Sequence, residues 1–365
     1  PRGASPFPRV PHARGMAEIV AGLRERGLHP SPLPLGLINP GEADGCILCR
    51  TCNSFPCRIE RKSDAEVCCV DPAARHTNVT VLTRATAERL VTDTSGRRVE
   101  AVEIERDGQR TRVTADQFIV SCGAVNSAVL LLRSANDRHR NGLANSSGMV
   151  GTRYMAHLAT MLQGVGVRVN RDDFQKTVAI NDFYVRGPDT PYPLGQIQSQ
   201  GRTDASMAKA VGDGWRYKAI EMRHIPLWAY EMWVSRATDW LAMTEDLPRA
   251  ENRVTIGVDG RPVLHYRPNN MTAHARLVEE LRRLLSSLGY WSPKVFAHST
   301  GVLNTTHQCG TLVFGTDPAT SVLDTYCRTH DVENLFVVDA SFFPSSAAVN
   351  PGLTIAAQAL RVADH

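Results

Sequence analysis

The spacing of hydrophobic positions changes along this chain, and each change marks an element. Over residues 12–26, Met16, Ile19, Val20 and Leu23 recur at helical spacing and predict an amphipathic helix. Pro30, Pro32, Pro34 and Pro40 then interrupt any regular element. From Asn78 the texture turns to β. Residues 79–83, 87–92 and 99–106 read as strands, with Ser95-Gly96 turning between the last two. Asp107-Gly108 predicts a hairpin from 102–106 into 111–115. Residues 118–121 form a short apolar strand that runs through Cys122-Gly123-Ala124 into a helix over 127–135. Strand, small-residue turn and helix in succession let backbone approach a ligand.

Residues 150–300 alternate strands and helices around Tyr192, Trp215, Tyr217, Trp228, Tyr230, Trp233 and Trp240. Asp259-Gly260 predicts a second hairpin, joining 253–258 to 261–266. Residues 272–288 carry an amphipathic helix closed by Gly289. Near the end, 335–338 is a buried strand terminating at Asp339, followed by a small-residue loop over 341–349. A helix over 353–363 closes the chain, with Asn350 as its cap and Pro351 in its first turn.

Composition narrows the class. Length 365 suggests about two domains, and 42% hydrophobic residues can fill a large core. A formal net charge of +4 is too weak to imply a nucleic-acid partner. No apolar run approaches the ~20 residues of a membrane span. Nine cysteines, odd in number and clustered, suit a reducing, cytoplasmic address better than a secreted one. The chain opens on Pro1, its first methionine is Met16, and its Pro/Arg-rich first eleven residues lack a signal-peptide pattern. It reads as part of a longer sequence.

Two chemistries stand out. His307, in a polar stretch from Thr305 to Thr311 that contains Gly310, is suited to take or give a proton near neutral pH. Asn350, at a helix start, offers an amide beside backbone N–H groups and a positive helix end. Taken singly, His307 reads as readily as a structural histidine and Asn350 as a plain cap. The second candidate is Cys46, Cys49, Cys52 and Cys57, with Cys68-Cys69 as a supplement. Its last gap is one residue longer than the ferredoxin run C-x2-C-x2-C-x3-C. Structural thiols or a disulfide are therefore expected, and no metal ligand is assigned. The aromatic stretch from Trp228 to Trp240 fits a substrate wall or core packing equally. Glu221 and Glu231 read as exposed carboxylates or as contacts to a cationic substrate.

The C-terminal segments change the weight of the first candidate. His307-x-x-Gly310-Thr311, Gly315-x-Asp317-Pro318, Ser321-Val322-x-Asp324, Asn334 through Ser341, Pro344, and Asn350-Pro351-x-Leu353-Thr354 follow in a fixed order. This run closely resembles the C-terminal signature of the glucose–methanol–choline (GMC) oxidoreductases. Residues 119–131 resemble that family's second dinucleotide-contact strand and helix. Val150-Gly151-Thr152-Arg153-Tyr154-Met155-Ala156-His157 resembles its VGRNxxxH-like segment, with Thr152 departing from Arg.

The resemblance implies an FAD-dependent enzyme that oxidises a CH–OH group. It implies His307 as the base that removes the alcohol proton as hydride passes to flavin N5. It implies Asn350 as the hydrogen-bond partner of the substrate oxygen. That His/Asn pairing is similar to the cholesterol-oxidase and pyranose-oxidase branches rather than the His/His branch. It further implies cofactor contacts at Ala87, Gly123, Ala124, Asp339, Ala340, Pro351 and Gly352. The implied substrate is a sugar, cyclitol, aminoglycoside or other natural-product alcohol.

The implied fold is α/β: a discontinuous Rossmann-like FAD-binding domain, with an α+β substrate domain built on an antiparallel sheet. Its expected divisions are a Cys-rich connecting segment at 1–77, FAD-domain parts at 78–150 and 301–365, and a substrate domain at 151–300. The family's N-terminal GxGxxG βαβ unit is not found. Gly164-Val165-Gly166 lacks the third glycine, and Gly212-Asp213-Gly214 fails likewise. A member of ordinary architecture would carry that unit upstream of Pro1. Implied partners are a small-molecule alcohol, an electron acceptor (oxygen or another), and the missing FAD-binding segment or a second chain that supplies it. The alternatives are a partner-requiring flavoprotein subunit and an electron-transfer module built on the cysteines.

Overall fold

A computed structural model describes residues 9–52, 55–212, 216–217, 220–221, 224–291, 297–299 and 306–365. Trp215, Thr305 and residues 1–8 lie outside them. The chain divides into two compact units.

The first unit comprises Pro1–Val81, Ala159–Thr244 and Thr272–His298. Its centre is a six-stranded sheet in the order Ser31–Pro32, Val178–Ile180, Gln196–Ser199, Ala237–Thr244, Leu158–Val165, Ala297–Ser299. The first four pair antiparallel. Helices Arg14–Glu25 and Met271–Ser287 contribute Met16, Leu23, Leu277 and Leu281 to a core shared with Leu162, Ile197 and Trp240. The predicted stripe of Met16, Ile19, Val20 and Leu23 is the buried face of its helix. Each such side chain contributes about 1.5–3 kcal/mol on burial. The start of this helix is capped from far away: Asp172 accepts the N–H groups of Gly15 at 3.0 Å and Met16 at 2.9 Å.

The second unit comprises Leu82–Leu158, Glu245–Met271 and Ser299–His365. Strands Ala85–Thr92, Val99–Arg106 and Gln109–Thr114 form an antiparallel meander. Its second turn is at Asp107-Gly108, where φ values of +52° and +79° match a two-residue hairpin turn. Strand Phe118–Val120 pairs in parallel with Leu335–Val337, Phe118 opposite Leu335. Between them in sequence lie helix Gly123–Arg133 and the hairpin of Arg253–Ile256 with Pro262–His265. Leu131, Leu143, Tyr154, Leu312, Leu335 and Val337 lie in one core. Helix Gly352–Ala363 ends the chain.

Three sequence expectations are corrected. Residues 79–83 are not a strand: Val79, Val81 and Leu82 are exposed, and the segment pairs with no strand among the described residues. A β-propensity run without a neighbour to bond gains nothing from extension. The helix expected over 127–135 is Gly123–Arg133 instead, because the Asp339 carboxylate receives the Gly123 N–H at 2.9 Å. Asn350 does not cap the last helix. Pro351 occupies that position, without a side-chain cap bond.

Candidate active site

The second unit gathers most of the predicted site residues on one cavity of about 580 Å³. Gly123, Ala124, His307, Asp339, Ala340, Asn350, Pro351 and Gly352 all line it. Ala87 does not. It lies exposed in strand Ala85–Thr92, opposite Ile104.

Backbone pairing places His307. Cys309 and Met155 exchange N–H···O bonds of 2.9 and 3.0 Å, and Gly310 N–H donates to Ala340 O at 3.1 Å. Gly310 is required here: its φ is +92°, and a Cβ would sit 2.5 Å from Arg153 O. His307 itself has φ +59°, a left-handed conformation that a non-glycine residue adopts at a cost.

Each ring nitrogen of His307 lies near a nitrogen of another side chain. Asn350 Nδ2 lies 3.4 Å from His307 Nε2, on the cavity side. His307 Nδ1 lies 2.8 Å from Nδ1 of His157, with ring centroids 4.7 Å apart at 68°. His157 is buried, and its Nε2 donates to Ser346 O at 2.8 Å. Burial holds the His157 imidazolium below its ordinary pKa. The sequence reading missed His157 as a site residue. Its signal was present, since the segment 150–157 ends on it.

A carboxylate bonds to the residue before His157. Asp246 accepts from Tyr266 OH at 2.9 Å and from Ala156 N–H at 3.1 Å. Burial pushes its carboxyl up to about 6 and pushes Tyr154 up to about 12. Burial raises the Cys309 thiol as well.

Asp339 braces the cavity. Its carboxylate accepts from Gly123 N–H, from the Ser127 hydroxyl, and from the N–H and hydroxyl of Ser341. Helices Gly123–Arg133 and Gly352–Ala363 both open onto the cavity at their N-termini. A Cβ built on Gly123 or Gly352 meets nothing within 4 Å, so the backbone there is open to a ligand.

The Cys46–Cys69 segment and Trp228, Trp233 and Trp240 belong to the first unit. Cys46 is buried, Cys49, Cys52 and Cys57 are half-buried, and Cys68 and Cys69 are exposed. No disulfide links the nine cysteines, all of which are described. Cys57 Sγ accepts the Arg61 N–H at 3.3 Å. Among the described residues, no group of three or more His, Cys, Asp and Glu is placed to hold a metal ion. Trp240 is core, Trp233 donates its indole N–H to Gln163 at 2.8 Å, and Trp228 and Glu231 are exposed.

Two profiles described as GMC oxidoreductase match residues 15–159 and 248–359. The chain belongs to the GMC oxidoreductase family. This GMC oxidoreductase is 31% identical to 6'''-hydroxyparomomycin C oxidase of Streptomyces lividus, over 98% of this chain and 63% of that protein. It is also 31% identical to paromamine 6'-oxidase of Streptomyces fradiae, over 92% of this chain and 62% of that protein. It thus spans about three fifths of the length of these curated relatives. Among solved structures, pyridoxine 4-oxidase from Mesorbium loti superposes with TM-score 0.62 at 18% identity, covering 96% of this chain and 69% of that one. An Aspergillus oryzae RIB40 formate oxidase superposes with TM-score 0.64 at 14% identity, covering 96% and 70%. These two establish the fold: α/β with a mixed architecture of helices and antiparallel sheet. No described helix is long and apolar enough to cross a membrane.

Proposed function

We propose that this GMC oxidoreductase oxidises a CH–OH group of a sugar, cyclitol, aminoglycoside or similar alcohol, with FAD as cofactor. The observation that carries the reading is the placement of His307 Nε2 and Asn350 Nδ2 3.4 Å apart on one cavity. An alcohol oxygen held by the Asn350 amide stands within reach of the His307 ring, which takes the hydroxyl proton as C–H bond cleavage begins. Both carboxylate oxygens of Asp339 accept protein donors, so Asp339 serves the cofactor site by fixing the cavity wall and backbone against which FAD would lie.

The residues present fit FAD. The N-terminus of helix Gly352–Ala363, without a side-chain cap bond, turns backbone N–H groups and a positive dipole end to the cavity, which suits an anionic group, and the open Cβ positions of Gly123 and Gly352 leave room for close approach. Gly123, Ala124, Asp339 and Ala340 would hold the adenosine and ribityl side, and Pro351 and Gly352 the flavin ring. When bound, FAD supplies the hydride acceptor. FAD modification is described for the formate oxidase that shares the fold. Similarity to the Streptomyces 6'''-hydroxyparomomycin C oxidase and paromamine 6'-oxidase supports the aminoglycoside class. In this reading the second unit is the FAD-binding part and the first the substrate part. The clustered cysteines support a reducing, cytoplasmic address.

The test is anaerobic mixing of the FAD-loaded protein with paromamine. Loss of oxidised-flavin absorbance is expected. Bound flavin that no sugar, cyclitol or aminoglycoside alcohol bleaches would overturn the reading. A second reading is favoured by the lack of a GxGxxG cradle in the sequence: FAD binds only when another segment or chain supplies it. Stoichiometric FAD on residues 1–365 alone excludes that.

A further inference from the structure

We infer that His157 is a positioning residue that fixes which ring nitrogen of His307 carries the proton. The inference rests on the reading of His307 as proton acceptor. It starts from the Ser346 carbonyl, which can only accept a hydrogen bond. The His157 nitrogen 2.8 Å away, Nε2, must therefore carry a hydrogen. The ring is 1% exposed, and burial disfavours its charged form. A neutral imidazole has one N–H, so His157 Nδ1 presents a lone pair.

That lone pair faces His307 Nδ1 at 2.8 Å. The contact is a hydrogen bond only if His307 Nδ1 carries a hydrogen. Neutral His307 then has its lone pair on Nε2, the nitrogen on the cavity side beside the Asn350 amide. The opposite tautomer sets two lone pairs against each other at Nδ1 and turns an N–H toward the alcohol. A loop carbonyl thus selects the active tautomer of His307 through one intervening ring. When Nε2 gains a proton, the Nδ1–H···Nδ1 bond becomes charge-assisted and strengthens.

Packing alone does not account for this geometry. A space-filling ring needs no nitrogen-to-nitrogen contact of 2.8 Å on one side and a carbonyl at 2.8 Å on the other. Glu245 lies near enough to favour the charged form of His157, and Asp246 is bonded to the neighbouring Ala156 N–H. Burial outweighs the backbone bonds to Ser346 and Ala347 and the charge of Glu245 together, which favours the neutral ring.

Nitrogen NMR of histidine-labelled protein tests this directly. His307 is expected to be protonated at Nδ1 and His157 at Nε2. His157→Leu should release the His307 tautomer, and His157→Asn, which keeps an acceptor oxygen near the Nδ1 position, should restore it. With paromamine, His157→Leu should lower kcat ~10²–10⁴-fold with little change in KM, and His157→Asn should recover part of the loss. A bare Nδ1 on His307 in the unaltered protein overturns the inference, even if no variant folds. So does an unchanged tautomer in His157→Leu. If the tautomer is as stated but His307→Ala turns over paromamine normally, the proposed function fails while the tautomer assignment stands.

Discussion

Asp339 and Gly123 are 216 residues apart in the chain, yet the Asp339 carboxylate receives the Gly123 N–H at 2.9 Å. One side chain thus starts a helix, ends the turn after a parallel strand and shapes the cavity wall. The first unit repeats the device with Asp172, which receives Gly15 and Met16 across 157 and 156 residues.

Removing that brace is predicted to be costly. Asp339→Ala strands the Ser341 N–H and the Ser127 and Ser341 hydroxyls in a buried setting and removes the part-buried bond to the Gly123 N–H. A loss of about 2–4 kcal/mol is expected in urea unfolding. A change below about 0.5 kcal/mol would show that the carboxylate braces nothing.

The catalytic reading predicts a graded loss at the pair. His307→Ala should slow flavin reduction by the alcohol ~10²–10⁴-fold while FAD binding is retained. Asn350→Ala should slow the same step ~10²-fold, since it removes one donor to the developing oxyanion. Rapid-mixing absorbance measures both. Unchanged rates would remove these residues from the chemistry.

Gly310 makes a steric prediction. An alanine there needs φ near +92° and places Cβ 2.5 Å from both Arg153 O and the Met155 methyl. Gly310→Ala should therefore destabilise by about 3 kcal/mol or more and displace the His307 segment. Thermal unfolding of the variant checks it; a wild-type melting temperature is the contrary result.

Asp246 predicts a pH dependence with a definite sign. Burial raises its carboxyl from 3.8 to about 6, so the folded state holds the proton more tightly than the unfolded chain. The stability this provides is complete below about pH 4 and is lost as pH rises through about 6. A rise of that size corresponds to about 3 kcal/mol. Relative to Asp246→Asn, the parent protein should lose about 2–3 kcal/mol between pH 4 and 7.5 in urea titrations. A constant difference across that range would contradict the assignment.

What the sequence determined by itself is local. The buried stripe of Met16, Ile19, Val20 and Leu23 follows from a 3.6-residue period that needs no knowledge of its partner. The turns at Asp107-Gly108 and Asp259-Gly260 follow from residues that accept positive φ, including +79° and +77° at their glycines. The ordered motifs from His307 to Thr354 were enough to point to the family and to His307 and Asn350. Tertiary structure decided whatever depends on partners distant in sequence. Helices begin at Gly123 and Arg14 where the carboxylates of Asp339 and Asp172 arrive from far along the chain. Residues 79–83 stay exposed, and no strand among the described residues pairs with them. Asn350 leaves its cap role for His307, and His157 meets His307 across 150 residues. A hydrogen-bond partner has no periodicity, so no pattern in the chain records it. Only folding brings the donor to the acceptor.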